Sequence, residues 1–138
     1  MSKNLWGDLT NLEEKRNPLD ILKEQSGYLL DATNSMIYAD LYTREAQEVL
    51  GEPGRDFATK FSIKSKVMNR YEFELFTLFY NVTFFPFIAE IDENVSEALN
   101  MKSTITLENE EQFYEFLQMM LGNDHTKKVI TSLYAMSK

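Results

Sequence analysis

Apolar residues recur at helical spacing near both ends of this chain and at strand spacing between them. Leu19, Leu22, Leu29 and Thr33, with Ser26 between, fall on one helical face. Asn17-Pro18 followed by Asp20 supplies a capping side chain, a preset first helical residue and a charge suited to the positive end of the helix dipole. A helix is therefore expected from Asn17 to about Thr33. Gly27 inside it costs about 1 kcal/mol relative to alanine, and close approach of a neighbouring element is the expected reason for it. Toward the C-terminus, Asn109 and Gln112 have capping-box spacing. Phe113, Phe116, Leu117, Met120 and Leu121 follow on one side, and Gly122 ends the pattern. Asp124 is expected to cap a final helix bearing Val129, Ile130, Leu133 and Tyr134.

The middle of the chain alternates. Phe57, Phe61, Ile63 and Val67 share one parity and Lys60, Ser62, Lys64 and Lys66 the other; Tyr71, Phe73 and Leu75 then oppose Glu72 and Glu74. A three-residue loop through Met68-Asn69-Arg70 would pair Val67 with Tyr71 and Ile63 with Leu75, setting Lys66 against Glu72 and Lys64 against Glu74. Beyond Leu75 the outer parity becomes Phe76, Leu78, Tyr80 and Val82, so this strand is expected to be central and covered on both sides. Met36 to Tyr42, Phe84 to Ile91 and Ser103 to Leu107 are further strand candidates. Pro86 lacks a ladder donor and marks an edge, a bulge or a strand start. Thr43 to Gly54 reads as a polar excursion ended by a Gly-Glu-Pro-Gly turn, and Asp92 to Met101 as a polar connection holding one helical turn after Ser96. The expected architecture is α+β: an antiparallel sheet of four or five strands, with one N-terminal and two C-terminal helices packed on one face. Residues 1–16 form a polar tail and 17–138 a single α+β domain. Trp6 on that tail, with Leu5 and Leu9 beside it, is expected to pack on the domain's own core, the alternative being an anchor to another protein.

Composition narrows the chemistry. The absence of cysteine excludes disulfides, thiolate metal sites and thiol nucleophiles. Net charge −8 disfavours attraction to nucleic acid or an anionic membrane. The uncharged run Leu75 to Ala89 falls short of the roughly 18 residues of a membrane helix. The polar start of the chain lacks the apolar stretch of a secretory signal, so a cytoplasmic location is expected. No metal or other cofactor is called for. A calcium loop starting at Asp92 would put Glu97 where glycine is needed and Ser103 where a bidentate Glu is needed. Glu13 with Lys15 lies in the polar tail with no hairpin around it, which weakens a nuclease-like reading. His125, the single histidine, stands beside a helix start with no positioned nucleophile, which suits a capping or partly packed ring better than a general base.

Two features remain. From Tyr71 to Thr126 the chain carries eleven acids against Lys102 alone. Glu90, Asp92, Glu93 and Glu97 are accordingly the candidate partner-binding residues of an acidic face that attracts a basic protein surface. Aromatic residues crowd the stretch from Tyr71 to Ile88, chiefly as core, but Phe76, Tyr80, Phe84 and Phe87 are the candidates for an aromatic-lined pocket. The expected function is a non-enzymatic protein-binding module of inhibitor, adaptor or chaperone type, with homodimer formation left open. The alternative is a protein that binds or sequesters a small molecule or nucleotide in the aromatic pocket.

Overall fold

Asn17 begins the first helix as its residue types require: its side chain accepts the Leu19 amide at 2.9 Å, Pro18 occupies the first helical position, and α1 runs Pro18–Ala32. The computed structural model describes residues 3–9, 17–45 and 55–138. The Gly51-Glu52-Pro53-Gly54 turn and the Glu13 and Lys15 pair fall outside them. After α1 come β1 (Ile37–Glu45), β2 (Phe57–Ser65), β3 (Glu72–Tyr80) and β4 (Phe87–Ile91). A short α2 (Glu93–Ala98), β5 (Thr104–Leu107), α3 (Glu110–Leu121) and α4 (Asp124–Ser137) complete the chain. The strands form one antiparallel meander in the order β1-β2-β3-β4-β5, so β3 is central, as its apolar content predicts. Pro86 precedes the first residue of β4 and costs the ladder nothing.

The helices cover one face. Ile21 and Leu22 of α1, Phe113, Phe116, Leu117 and Met120 of α3, and Leu133 of α4 share a core with Ile37, Phe61, Ile63, Leu78 and Phe87 of the sheet. Of the residues expected inside, Leu75, Phe113, Phe116, Leu117 and Leu133 are buried, while Phe73 is half-buried at the margin, its ring 5.9 Å from that of His125. The C-terminal helices meet at Asn123, not at Asp124. Asn123 Oδ1 accepts the Thr126 amide, and its Nδ2 donates to the Met119 and Met120 carbonyls, so one side chain caps α4 and ties off α3.

The hairpin departs from the expected register by two residues. Lys64 faces Glu72 and Ile63 faces Phe73, because the connection from Lys66 to Tyr71 is longer than three residues. Parity survives a two-residue shift, so the lysines and glutamates still share the outer face. Parity then changes within β3. The ladder slips between Phe61 and Ser62, where Phe61 pairs with Phe76 and Ser62 with Glu74, leaving Leu75 as the extra residue of a β-bulge. Beyond it Phe76, Leu78 and Tyr80 face the main core, not the outer side. Phe79 takes the outer side, in a separate small cluster with Ala58 and Ile88.

Edge strand β1 is closed by α1 in an unusual way. Ser26 Oγ donates to the Ala39 carbonyl (2.9 Å) and accepts the Ala39 amide (3.1 Å). Thr33 Oγ1 accepts the Ile37 amide at 3.0 Å, and its one hydrogen is shared between the Leu29 carbonyl at 2.8 Å and the Ile37 carbonyl at 3.2 Å. Two hydroxyls seven residues apart on the helix thus take the place of a neighbouring strand for two alternate residues of β1. Beside Ser26, a Cβ built on Gly27 meets nothing within 4 Å, so close approach is not the reason for that glycine.

These adjacent residues should respond oppositely to substitution by alanine. Ser26→Ala removes both partners of Ala39 and should cost about 1–3 kcal/mol. Gly27→Ala meets no obstacle and should stabilise by about 0.5–1 kcal/mol. Denaturant unfolding of the two variants checks both, and a destabilised Gly27→Ala would show that the position is tighter than its surroundings indicate.

Candidate functional site

Most acids in the sequence segment from Tyr71 onward are unpaired, and the exceptions show why. On the outer face, Lys60 Nζ lies 2.8 Å from Glu72 and 3.6 Å from Glu74, and Lys64 Nζ lies 3.0 Å from Asp40 and 3.3 Å from Glu72. The β1-β2-β3 register puts these side chains in adjacent rows. The hydrogen bond from Lys60 holds the Glu72 carboxyl below its ordinary value of 4.5. Glu72 in turn raises Lys60, and Asp40 above all raises Lys64. Both lysines come from β2, so the pairing reaches no farther than β3.

Beyond β3 the one cation before α4 is Lys102, and it forms no ion pair among the described residues. Glu90 is half-buried on the outer side of β4, paired in register with Thr77 and Thr104. Asp92 caps α2, its carboxylate accepting the Asn94 amide at 3.1 Å, while Glu93 and Glu97 are exposed one turn apart on α2. Glu90 and Asp92 border a small depression with Glu74, about 180 Å³ in volume; Glu93 and Glu97 do not line it. Among the described residues, no group of three potential metal ligands could hold an ion.

A second set of acids lies at the other end of β5. Glu108, Glu110 and Glu111 are exposed around the start of α3, where Asn109 Oδ1 accepts the Gln112 amide and Gln112 Oε1 accepts the Glu108 amide. The helix dipole favours acids there. Between the two sets runs the edge strand itself. β5 is paired on one side only, by β4. Beside it a shallow groove of about 380 Å³ is walled by Ile105, Leu107, Phe116 and Met119, with Gln112 and Glu115 at its polar margin. Glu90, Asp92, Glu93, Glu97, Glu108, Glu110, Glu111 and Glu115 form no ion pair among the described residues. Sequence reasoning concentrated on the first set and passed over Glu108 to Glu115. The legible signal was the acid run across a capping box, but the apolar groove beside it required the fold.

The pocket candidates lie elsewhere. Phe76, Tyr80 and Phe87 are buried and Phe84 is half-buried. Their rings are occupied with one another and with the helices: Phe76 with Phe61 and Phe116, Tyr80 with Phe84 and Phe87, and Phe87 with Phe113, at centroid distances of 5.0–6.0 Å. The Tyr80 hydroxyl bonds Thr59 Oγ1 at 2.8 Å, within the buried interior. An apolar cleft of about 250 Å³ opens instead between α1 and the C-terminal helices. Its floor is Ala39, Phe61 and Ile63, its walls Gln25, Tyr28 and Leu29 on one side and Leu121, Thr126 and Ile130 on the other. No charged residue lines it. Trp6, expected on the core, is 82% exposed, and Leu5 is 86% exposed.

The paired acids carry a pH signature. Because Glu72 is held below its ordinary pKa in the folded chain, its stabilisation is complete above that value and is lost as pH falls through the lowered one. Lys60 and Lys64, raised from 10.5, keep theirs up to that pH and lose it above. Glu72→Gln should cost about 0.5–1 kcal/mol at neutral pH, with the gap to the parent closing in thermal melts as the pH drops below 4.5. A gap that persists undiminished into acid would assign the loss to packing.

Comparison with protein-family models, with curated proteins and with solved structures finds no match for this chain.

Proposed function

We propose that this chain is a non-enzymatic protein-binding module that receives a basic partner surface along the acidic border of β5. The observation that supports this most directly is the coincidence of three things at one edge: a strand paired on one side only, an apolar groove beside it, and carboxylates bracketing both without cations of their own. Exposed acids chiefly raise the association rate, and Ile105, Phe116 and Met119 would supply affinity. Glu90, Asp92, Glu93 and Glu97 contribute to the field at the Thr104 end, and Glu108, Glu110, Glu111 and Glu115 at the Leu107 end. Inhibitors, adaptors and chaperones all work by such occupancy, and a cytoplasmic site of action suits this reading. Nucleic acid and anionic membrane are repelled by the same field. Among the described residues no helix is long and apolar enough to cross a membrane. The aromatic residues considered for a small-molecule pocket are filling the core, so the proposal stays with a protein partner.

Affinity isolation from the source cells at low and physiological salt tests this when the parent is run beside two charge variants. One carries Glu93→Lys and Glu97→Lys, the other Glu111→Lys and Glu115→Lys; Asp92 is left in place because it caps α2. A stoichiometric partner should be held by the parent and depleted at least about tenfold with the variants, most strongly at low salt where screening is weakest. Equal retention by folded variants would mean that these acids only solubilise the chain.

A further inference from the structure

The N-terminal arm and the cleft beside α1 present complementary surfaces that the isolated chain leaves apart. On the arm, Leu5 and Trp6 are almost wholly exposed and Leu9 is exposed as well, an apolar cluster that a solvated tail has no reason to carry. The cleft is apolar, uncharged at its lining and about 250 Å³ in volume, below the roughly 300–1,000 Å³ of drug-sized sites and closer to the scale of one or two inserted side chains. The cleft lining bears no charge, and within Leu5–Leu9 the one charge is Asp8, two residues from Trp6, so no acid of the cleft faces it despite the net −8.

We propose that the cleft receives the Leu5–Leu9 arm of a second copy of this chain, in a reciprocal exchange. Two distances make this feasible. Residues 10–16 can span at most about 25 Å. The cleft borders α1 at Gln25 to Leu29, about 12–18 Å along the helix from the residue where the arm joins it. A copy placed side by side across a two-fold axis near α1 thus brings each arm over the other's cleft, and such an arrangement closes at two chains. A buried tryptophan covers about 150–250 Å². Two of them, with the walls that receive them and with Leu5 and Leu9, approach the roughly 1,200 Å² at which specific interfaces begin. The contact forms between chains, since within one chain Leu5 and Trp6 stand in water.

Trp6 is the single tryptophan, so indole fluorescence reports the arm alone. The parent should double in mass by light scattering over about a hundredfold rise in concentration, with Trp6 emission moving to the blue and acrylamide quenching falling in step. Trp6→Ala should remain monomeric, with the melting temperature that the parent shows at its lowest, monomeric concentration. Ile130→Glu, in the cleft wall, should also be monomeric; Tyr28→Glu, at an exposed position on the rim, provides the same block without touching the core. Mixing Tyr28→Glu, which keeps its arm, with Trp6→Ala, which keeps its cleft, should shield Trp6 again in a mixed dimer held by one of the two exchanges, at higher concentration than the parent needs and where neither variant alone shields it. A parent that stays monomeric with quenchable Trp6 overturns the proposal. A monomer whose Trp6 is shielded at every concentration overturns it in favour of the arm's own cleft, and a dimer that survives Trp6→Ala places the contact elsewhere.

Discussion

The arrangement turns on one extra residue in the central strand. β3 pairs with β2 from Glu72 to Tyr80 and with β4 from Phe76 to Phe79, yet its apolar residues change parity at Leu75 and Phe76, and a regular strand would have exposed one half or the other. The bulge at Leu75 resolves the conflict by letting Glu72 and Glu74 keep the outer side while Phe76, Leu78 and Tyr80 turn inward beyond it. The carbonyl of that bulged residue accepts the Asp92 amide at 3.0 Å, one step beyond the last β3–β4 pair at Phe76 and Ile91. The first residue after β4 is thereby tied to the central strand, and Asp92 begins α2 from that anchored position. The residue that bulges to complete the core is thus also the one that holds the start of α2.

The two edges of the sheet are treated differently, and that difference gives the molecule a direction. On β1, Ser26 and Thr33 satisfy alternate backbone groups from the side of a helix, so the strand is closed along the stretch that α1 covers. On β5, α3 packs over the core side through Phe113, Phe116 and Leu117 and stops short of covering the strand, leaving Ile105 and Met119 bordering a groove. A four-residue edge strand is already a weak template for indiscriminate pairing, and acids at both its ends discourage another acidic chain, including a second copy of this one, from adding there. A basic surface meets no such barrier.

Much of the fold was legible because local chemistry and periodicity agreed. Asn17-Pro18, the box from Asn109 to Gln112 and the stop at Gly122 all act within one helical turn, and the alternation in β2 spans enough residues to declare a face. What escaped depended on partners distant in sequence. The hairpin register follows from how the Lys66 to Tyr71 connection folds. The bulge appears in the sequence only as a broken alternation, which covering both faces would explain equally well. Asn123 and Asp124 are both good caps, and the choice of Asn123 reflects the two carbonyls that α3 leaves within reach of its amide. Gly27 suggested a close contact, but the position is open. The acidic character of the site was legible as a count, whereas the groove that would give it affinity joins residues of β5 to residues of α3 across a capping turn.

The charge distribution ties these points to the proposed mode of binding. Asp40 and Glu72, with Glu74 beside them, sit in rows where β2 contributes Lys60 and Lys64, and the resulting network is held by geometry the sheet must have anyway. Past β3, Lys102 is the only cation before α4, and the acids of β4, α2 and α3 retain their field. Unpaired carboxylates at this density repel one another and favour the unfolded chain, in which they stand farther apart. A sequence under pressure for stability alone would place a lysine on β4 or β5, as it does on β2. Leaving the β5 border unneutralised therefore carries a stability cost, one that a basic partner bound along that border would offset.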